Sequence, residues 1–221
     1  ICCLCSMMLV GGGNALNDYN DRETDKVNHP ERPIPSESIS ADAASVYAQA
    51  LLGLGLLILL FALDNKMPFV IALIGILLLI AYENGLKAAG ISGNITVGLM
   101  SGAVFLFAGM AVNEPGPTLW IFGLAVLATV TREIIKDVQD LEGDGDRRTL
   151  PASIGIENSM RVAILFLLIA IGLSYTAMDQ FDGMASNAYL GGIILANGTM
   201  LFGIYNAKQE DYFGGQKNIK Q

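Results

Sequence analysis

The sequence has little charge. Asp, Glu, Lys and Arg make up 15 % of its 221 residues, whereas a soluble globular domain carries about a quarter. Hydrophobic residues account for 52 %, and the mean hydropathy is +0.49. This composition argues against a soluble globular domain. The net charge of −8 argues against a nucleic acid partner, although the acidic residues are concentrated in two segments.

Cysteine and histidine are also scarce. Cys2, Cys3 and Cys5 lie in one apolar run, CCLC, without the paired spacing or the histidine partners of a zinc site. We interpret them as small apolar helix residues. The single histidine, His29, stands beside Pro30 in a polar segment, which is more typical of a surface loop than of a general base.

Apolar runs long enough to cross a bilayer, about 17–25 residues, recur along the chain. We predict an all-α fold, a polytopic transmembrane helix bundle with seven spans, at residues 1–16, 41–63, 67–83, 91–112, 117–136, 157–178 and 185–206. The first run has no Met, basic flank or cleavage site, so it is not typical of a signal peptide. We expect an internal fragment that starts inside a helix, with a further helix missing after the polar tail.

Basic residues predict the orientation of these helices. If residues 17–40 face the cytoplasm, so do 84–90, 137–156 and 207–221, and twelve of the thirteen Lys and Arg residues lie on or beside these segments. Only Lys66 lies on the other side. Because positive charge accumulates on the cytoplasmic side, we predict a multi-pass protein of the cell membrane with these segments in the cytoplasm.

Two acidic segments share one spacing. Offsets of 0, 3 and 7 relate Asp18, Asp21 and Asp25 in the first acidic segment, and Asp137, Asp140 and Asp144 in the second. At about 100° per residue, each trio lies within about 60° on a helix, provided that the helix continues past the membrane edge. Asn14 and Asn17, four residues before Asp18 and Asp21, extend the first set. The sequence therefore predicts two ridges of carboxylates.

Such ridges require a counter-charge. Like charges three and four residues apart destabilise a helix, and ionisable groups at a membrane-embedded helix end indicate function. Two ridges that face one another repel unless a multivalent cation lies between them. Carboxylate and amide oxygens favour a hard cation, Mg²⁺ in particular. Solvated acidic loops are the alternative, but the matched spacing on one predicted side of the membrane favours Mg²⁺.

Basic residues accompany the acidic ones. Each acidic segment is followed by arginine and proline, in PERPIP and RRTLP, and LIAYENGLK ends in lysine on the same predicted side. The basic set is Arg22, Lys26, Arg32, Lys87, Arg132, Lys136, Arg147 and Arg148. Arg and Lys beside Mg²⁺ favour a diphosphate ligand, although positive charge in cytoplasmic loops needs no ligand.

The motifs resemble those of the UbiA superfamily of intramembrane prenyltransferases. NDYNDRETD resembles its first Asn/Asp-rich motif, DLEGD its second, and YENGLK its Tyr…Lys segment, one residue longer than the commonest spacing. The family has nine spanning helices. By that pattern, residues 1–221 form a single membrane-embedded prenyltransferase domain that lacks the first helix, the start of the second and the ninth.

The resemblance implies Mg²⁺-dependent transfer of a geranylgeranyl group from its diphosphate to the hydroxyl of a lipid acceptor. NDYNDRETDKVNHPERPIPS and GNITVGLMSGAVFLFAG, which contains Asn94, are most similar to the branch that makes the second ether bond of archaeal lipids on geranylgeranylglyceryl phosphate. Chlorophyll synthases share RPIPS, and quinone-pathway aromatic prenyltransferases share both Asp motifs. Their acceptors stay open as alternatives, as does the oligomeric state.

The resemblance also implies roles for individual residues. The metal ligands are expected to be Asn17, Asp21, Asp25, Asp140 and Asp144; these four aspartates and Lys87 are the expected catalytic residues. The expected substrate-binding residues are Asn14, Asp18, Arg22, Arg32, Tyr82, Asn94, Arg132, Lys136, Asp137 and Arg148.

Two other classes of membrane protein carry comparable acidic residues. CDP-alcohol phosphotransferases require a DG-x2-AR element, which this sequence lacks. A divalent-cation transporter places carboxylates along its conduction path near mid-span, whereas spans 41–63, 91–112 and 157–178 contain no mid-helix acid. The prenyltransferase interpretation is favoured, and the transporter is the more distant alternative.

Overall fold

The computed structural model describes residues 1–141, 148–180 and 182–208. Within them, eight α-helices, α1 to α8 in chain order, occupy Cys2–Asn28, Ala41–Ala62, Met67–Glu83, Ile91–Ala111, Pro115–Gln139, Leu150–Ile154, Ile156–Thr176 and Gly183–Lys208. Leu86–Ala88 and Ala177–Gln180 form 3₁₀ helices. Ala89 and Arg148 pair in an isolated parallel bridge. The all-α prediction is confirmed.

Six of the seven predicted spans correspond to helices within three residues at either end. Among the described residues, α2, α4, α5, α7 and α8 are long and apolar enough to cross a membrane, and α3 is a shorter apolar helix of 17 residues. The predicted first span, 1–16, is the apolar part of α1, which continues through polar residues to Asn28. At about 1.5 Å per residue, α1 is about 40 Å long, against a hydrocarbon core of about 30 Å.

The chain divides into two compact units. The first contains Ile1–Glu83 and Met110–Asn113, and the second contains Asn84–Gly109 and Glu114–Gln221. In the first unit, α1, α2 and α3 pack on one another. α2 begins after Ser40, whose hydroxyl accepts a hydrogen bond from the N–H of Ala43 at 3.2 Å, the usual arrangement at a helix N-terminus.

One face of α2 packs on α1. Its buried positions, spaced three or four residues apart, are Ala44, Ala48, Leu52, Gly55 and Leu59. A Cβ on Gly12 of α1 would lie 2.9 Å from Cγ of Leu52 and 3.0 Å from the carbonyl oxygen of Ala48. Small residues therefore permit the close approach of these two helices, as is typical of membrane helix pairs.

In the second unit, α5 is packed along one face. Val130, Ile134 and Val138, four residues apart, are buried with side chains of α6, α7 and α8: Leu150, Met160, Ala163, Leu167 and Ile204. α5 begins at Pro115, where a missing N–H costs nothing because the first N–H groups of a helix have no intrahelical acceptor. This core positions the C-terminal end of α5, which carries the start of the second acidic segment.

α4 approaches α5 through glycines, and this contact yields a testable prediction. A Cβ at Gly98 would lie 2.8 Å from Cγ2 of Val130 and 3.0 Å from the carbonyl oxygen of Val126. We expect Gly98→Ala to lower stability by about 1–3 kcal/mol through overpacking. Gly172→Ala, with open space around its Cβ, is the matched control and should not lower stability. Thermal unfolding in detergent measures both, and equal melting temperatures would contradict the close helix contact.

Candidate active site

The first acidic segment lies on a continuous helix. Asp18, Asp21 and Asp25 all belong to α1, so the predicted carboxylate ridge is present. Asn17 donates from Nδ2 to Oδ2 of Asp21 at 3.2 Å, one helical turn on. Asn14 is exposed one turn before Asp18. The ridge was predicted on the condition that the helix continues past its apolar part, and α1 does continue.

Arg32 supplies the counter-charge of this ridge. Its Nη1 donates to Oδ2 of Asp25 at 2.7 Å and to Oδ1 of Asp18 at 3.4 Å. Asp25 is only 4 % exposed, so its charge needs a partner. The hydrogen bond from Arg32 to Asp25, with the charges of Asp25, Asp18 and Asp21, raises the pKa of the Arg32 guanidinium. Arg32 therefore neutralises part of the negative charge of this segment.

The loop after α1 places Arg32. The N–H of His29 donates to the carbonyl of Asp25 at 2.8 Å and closes the helix, and the N–H of Arg32 donates to the carbonyl of His29 at 3.1 Å. The N–H of Ser36 then donates to the carbonyl of Arg32 at 2.9 Å. These consecutive turns bring the chain back toward the end of α1. His29 itself is half exposed beside Glu31, which agrees with a surface position.

Two other basic residues of this segment fold back on α1. Nη1 of Arg22 donates to the carbonyl of Tyr19 at 2.7 Å, and its guanidinium lies 4.5 Å from the centre of the Tyr19 ring. Nζ of Lys26 donates to Glu23 at 2.8 Å, and both side chains are exposed. Arg22 is thus held at the ridge by an aromatic ring, whereas Lys26 takes part in an ordinary surface pair.

In the second unit, Asn94 and Asp137 form a pair that the sequence does not reveal. Nδ2 of Asn94, on α4, donates to Oδ2 of Asp137, on α5, at 3.0 Å. Asn94 is 7 % exposed. Asn94 and Asp137, both predicted to bind substrate, therefore contact each other.

The second acidic segment is not one helical ridge. α5 ends at Gln139, and Asp140 is the capping residue, whose N–H donates to the carbonyl of Lys136 at 2.9 Å. Asp137 therefore lies on the helix and Asp140 at its end. The predicted ligand Asp144 lies outside the described residues, as do Asp146 and Arg147.

The Lys87 and Arg148 segments meet in the second unit. Lys87 lies in the 3₁₀ helix Leu86–Ala88, and Ala89 directly after it bridges to Arg148. A Cβ at Gly90 would lie 3.6 Å from the carbonyl oxygen of Arg148, and Gly90 has a φ of +59°, which favours glycine. The segments that carry Lys87 and Arg148, both predicted as site residues, are therefore paired. Tyr82 lies in the last turn of α3, in the first unit.

A charged pair lies within α5. Arg132 donates to its neighbour Glu133, whose side chain is largely buried. Nε of Arg132 is buried and has no hydrogen-bond partner among the described residues. Charged residues in an apolar helix indicate function. Glu133 was not among the residues predicted from the sequence. Its position beside Arg132, within a largely apolar run, was the pattern that could have indicated it.

The whole chain is similar to a known family. Residues 1–217 match the pattern of the UbiA prenyltransferase family. The chain belongs to this family. As a UbiA prenyltransferase whose described residues include five apolar helices of spanning length, it is an integral membrane enzyme that transfers prenyl groups. The family predicted from the motifs is confirmed.

Archaeal relatives of the UbiA family are similar over most of the chain. Digeranylgeranylglyceryl phosphate synthase of Methanothrix thermoacetophila is 40 % identical over 216 residues, 97 % of this chain and 78 % of that protein. The synthase of Methanococcus aeolicus is 41 % identical over 192 residues, 86 % of this chain and 67 % of that protein.

Solved structures share the UbiA fold. One, from work on digeranylgeranylglyceryl phosphate synthase in membranes, has a TM-score of 0.80 at 30 % identity and covers 98 % of this chain and 77 % of that chain. A UbiA homologue from Archaeoglobus fulgidus bound to DMAPP and Mg²⁺ has a TM-score of 0.73 at 18 % identity, over 99 % and 86 %. The predicted bundle architecture is thereby confirmed.

The donor set of this UbiA protein suits Mg²⁺ in its chemistry. The first ridge offers one amide and three carboxylates, oxygen donors that a hard cation prefers. Arg32, a cation, already bridges two of these carboxylates, which shows that the ridge accommodates positive charge. Within the described residues no three His, Cys, Asp or Glu side chains are arranged to hold a metal ion. Arg32 occupies oxygens of Asp18 and Asp25, two of the four side chains in this donor set.

Proposed function

We propose that this chain transfers a geranylgeranyl group from geranylgeranyl diphosphate to the hydroxyl of geranylgeranylglyceryl phosphate, and so makes the second ether bond of an archaeal membrane lipid. The observation that carries the proposal is the ridge of Asn17, Asp21 and Asp25 with Arg32, in the polar half of a helix that begins as an apolar run. The archaeal relatives named for this product, at 40 % and 41 % identity, support the choice of acceptor over aromatic ones.

The oxygen donors of the two acidic segments are proposed to hold Mg²⁺. The ligands are Asn17, Asp21 and Asp25 in the first segment, and Asp140 and Asp144 in the second, with Asp18 and Asp137 in support. When bound, Mg²⁺ stabilises the negative charge that develops on the diphosphate as it leaves. The amide of Asn17 holds the carboxylate of Asp21 in place, so part of this ligand set is oriented before any metal arrives.

Cationic side chains are proposed to bind phosphate oxygens. Arg and Lys pair with phosphates through charge-assisted hydrogen bonds. The candidates are Arg22, Arg32, Lys87, Arg132, Lys136 and Arg148. The guanidinium of Arg22 lies over the ring of Tyr19. The segments that carry Lys87 and Arg148 are joined by the bridge between Ala89 and Arg148. Asn14 and Tyr82 remain proposed contacts of the substrate.

The chemistry requires that water be kept out. Loss of the diphosphate leaves an allylic cation, which water would convert to an alcohol, whereas an apolar site excludes water. The acceptor oxygen then bonds to the cationic carbon, and pyrophosphate and a proton are released. The spanning helices of this chain are apolar enough to exclude water. We propose that the protein lies in the cell membrane with its acidic segments in the cytoplasm, since the Lys and Arg residues are concentrated there.

Transfer by the purified chain tests the proposal. The protein, in detergent or lipid nanodiscs with Mg²⁺, is incubated with radiolabelled geranylgeranyl diphosphate and either geranylgeranylglyceryl phosphate or an aromatic acceptor. We expect labelled lipid product and pyrophosphate, both abolished by EDTA. Product only with the aromatic acceptor would favour a quinone- or chlorophyll-type enzyme. Absence of EDTA-sensitive pyrophosphate release with every acceptor would overturn the proposal.

A further inference from the structure

The ion pair between Arg32 and Asp25 is buried on one side only. The side chain of Asp25 is 6 % exposed, whereas that of Arg32 is 37 % exposed. Both contacts of the guanidinium with the first ridge use Nη1, at 2.7 Å from Oδ2 of Asp25 and 3.4 Å from Oδ1 of Asp18. A guanidinium carries five N–H donors in a planar fork, so Arg32 has further donors for a second anion.

One positive charge is shared by two carboxylates in this group. Asp18, at 40 % exposure of its side chain, makes the longer contact with Arg32. The buried carboxylate of Asp25 requires a cation beside it, but it does not require this particular one. Since Asp18 and Asp25 together carry two negative charges, a divalent cation would balance them more completely than the single charge of Arg32 does.

The backbone at Arg32 is held while its side chain is long. The N–H of Arg32 donates to the carbonyl of His29 at 3.1 Å, and its carbonyl accepts from the N–H of Ser36 at 2.9 Å. If the guanidinium leaves Asp25, it therefore stays within a side-chain length of the ridge. A diphosphate brought there by a metal offers oxygens that pair with a guanidinium through two parallel charge-assisted hydrogen bonds.

We propose that Arg32 and Mg²⁺ are alternative counter-charges of the first ridge, and that the guanidinium moves from Asp25 and Asp18 to the diphosphate when the metal binds. The proposal rests on the proposed function, in which this ridge binds Mg²⁺ and a prenyl diphosphate. Arg32 then protects Asp25 before the metal arrives, and the cost of displacing it is recovered only when a diphosphate accepts the guanidinium. Metal and diphosphate are thereby bound together rather than singly.

Metal affinity in the absence of substrate tests the exchange. Mn²⁺ is titrated into the wild type and Arg32→Ala in detergent, and the free ion is followed by electron paramagnetic resonance. Because the metal no longer displaces a guanidinium, we expect Arg32→Ala to bind Mn²⁺ about 10-fold more tightly. Arg32→Gln removes the charge but keeps a hydrogen-bond donor, so it should change in the same direction, and it replaces the alanine variant if that variant does not fold without metal. Equal or weaker binding of Mn²⁺ by the folded variant contradicts the exchange.

Arg22→Ala is the matched control, since it removes the same charge from the same helix end. The guanidinium of Arg22 lies over the ring of Tyr19 and 3.9 Å from Glu23, so its loss vacates no contact with Asp18 or Asp25. We expect its Mn²⁺ affinity to change much less than that of Arg32→Ala. An equal gain in both variants would show a general effect of net charge and would overturn the proposal.

Binding of inorganic pyrophosphate tests the second half of the exchange. Radiolabelled pyrophosphate retained by the protein is measured at saturating Mg²⁺, and we expect Arg32→Ala to bind it about 10–100-fold more weakly. One substitution then strengthens metal binding and weakens diphosphate binding, whereas loss of a residue that only stabilises the fold weakens both. Unchanged pyrophosphate affinity would refute the movement of the guanidinium. If these opposite changes occur in a protein that transfers no prenyl group, the proposed function fails and the exchange stands.

Discussion

Asp21→Ala is expected to abolish prenyl transfer while α1 remains folded. Asp21 lies on the ridge of α1, and the amide of Asn17 holds its carboxylate at 3.2 Å. Loss of a carboxylate that binds the metal removes charge stabilisation of the leaving diphosphate, an effect on the order of 10³-fold or more in kcat. The fold should persist, because the side chain of Asp21 is only partly buried.

The matched control is Glu23→Ala, which removes the same charge from the same helix. Glu23 is exposed and pairs with Lys26, so its loss should leave transfer near the wild-type rate. Asp21→Asn keeps a polar group of the same size and should be nearly as inactive as Asp21→Ala. Radiolabel transfer measures activity, and circular dichroism and size-exclusion chromatography measure folding. Wild-type turnover in Asp21→Ala would refute its proposed metal role.

Arg32→Ala is expected to destabilise the metal-free protein and to make its stability dependent on Mg²⁺. Without Arg32, the buried carboxylate of Asp25 loses its 2.7 Å partner. Breaking a buried pair costs about 3–5 kcal/mol, but the side chain of Arg32 is 37 % exposed, so we expect about 1–3 kcal/mol. In EDTA, the melting temperature should fall on the order of 5 °C.

Addition of Mg²⁺ should narrow this difference, because a cation at the ridge replaces the missing guanidinium charge. Arg161→Ala is the control: Arg161 donates to Glu157 at 2.7 Å, but both side chains are exposed, and such a pair contributes at most about 1 kcal/mol. Its melting temperature should be close to that of the wild type with and without Mg²⁺. If Arg32→Ala were as stable as the wild type in EDTA, Arg32 would not be the counter-charge of the ridge.

Sequence patterns predicted the helix bounds well where hydropathy alone determines them. α3, α4 and α7 begin and end within about two residues of the predicted spans, since a bilayer imposes one length and one composition on any helix that crosses it. The first acidic segment was predicted as a helical ridge, and α1 carries it. The family followed from short motifs, because spacing between ligands is a local property of the chain.

Helix ends and side-chain partners were not predictable in the same way. The predicted apolar span ends at residue 16, whereas α1 continues as a helix to Asn28. The acidic turn is helical since Arg32, in the next loop, neutralises it. α5 likewise ends at Gln139, with Asp140 as its capping residue. In both places, the residue at which the helix ends depends on backbone turns that amino-acid composition does not encode.

By itself, the sequence determined that this protein is a bundle of membrane helices with carboxylate, amide and cationic side chains near some of the helix ends. Those properties depend on local hydropathy and on spacing of a few residues. The tertiary structure alone decided that Arg32 pairs with Asp25 and that Asn94, 43 residues before Asp137, pairs with it. The reason is that the first pair requires the turn after α1, and the second requires glycines that let α4 and α5 approach. Both are properties of packed elements rather than of any one segment.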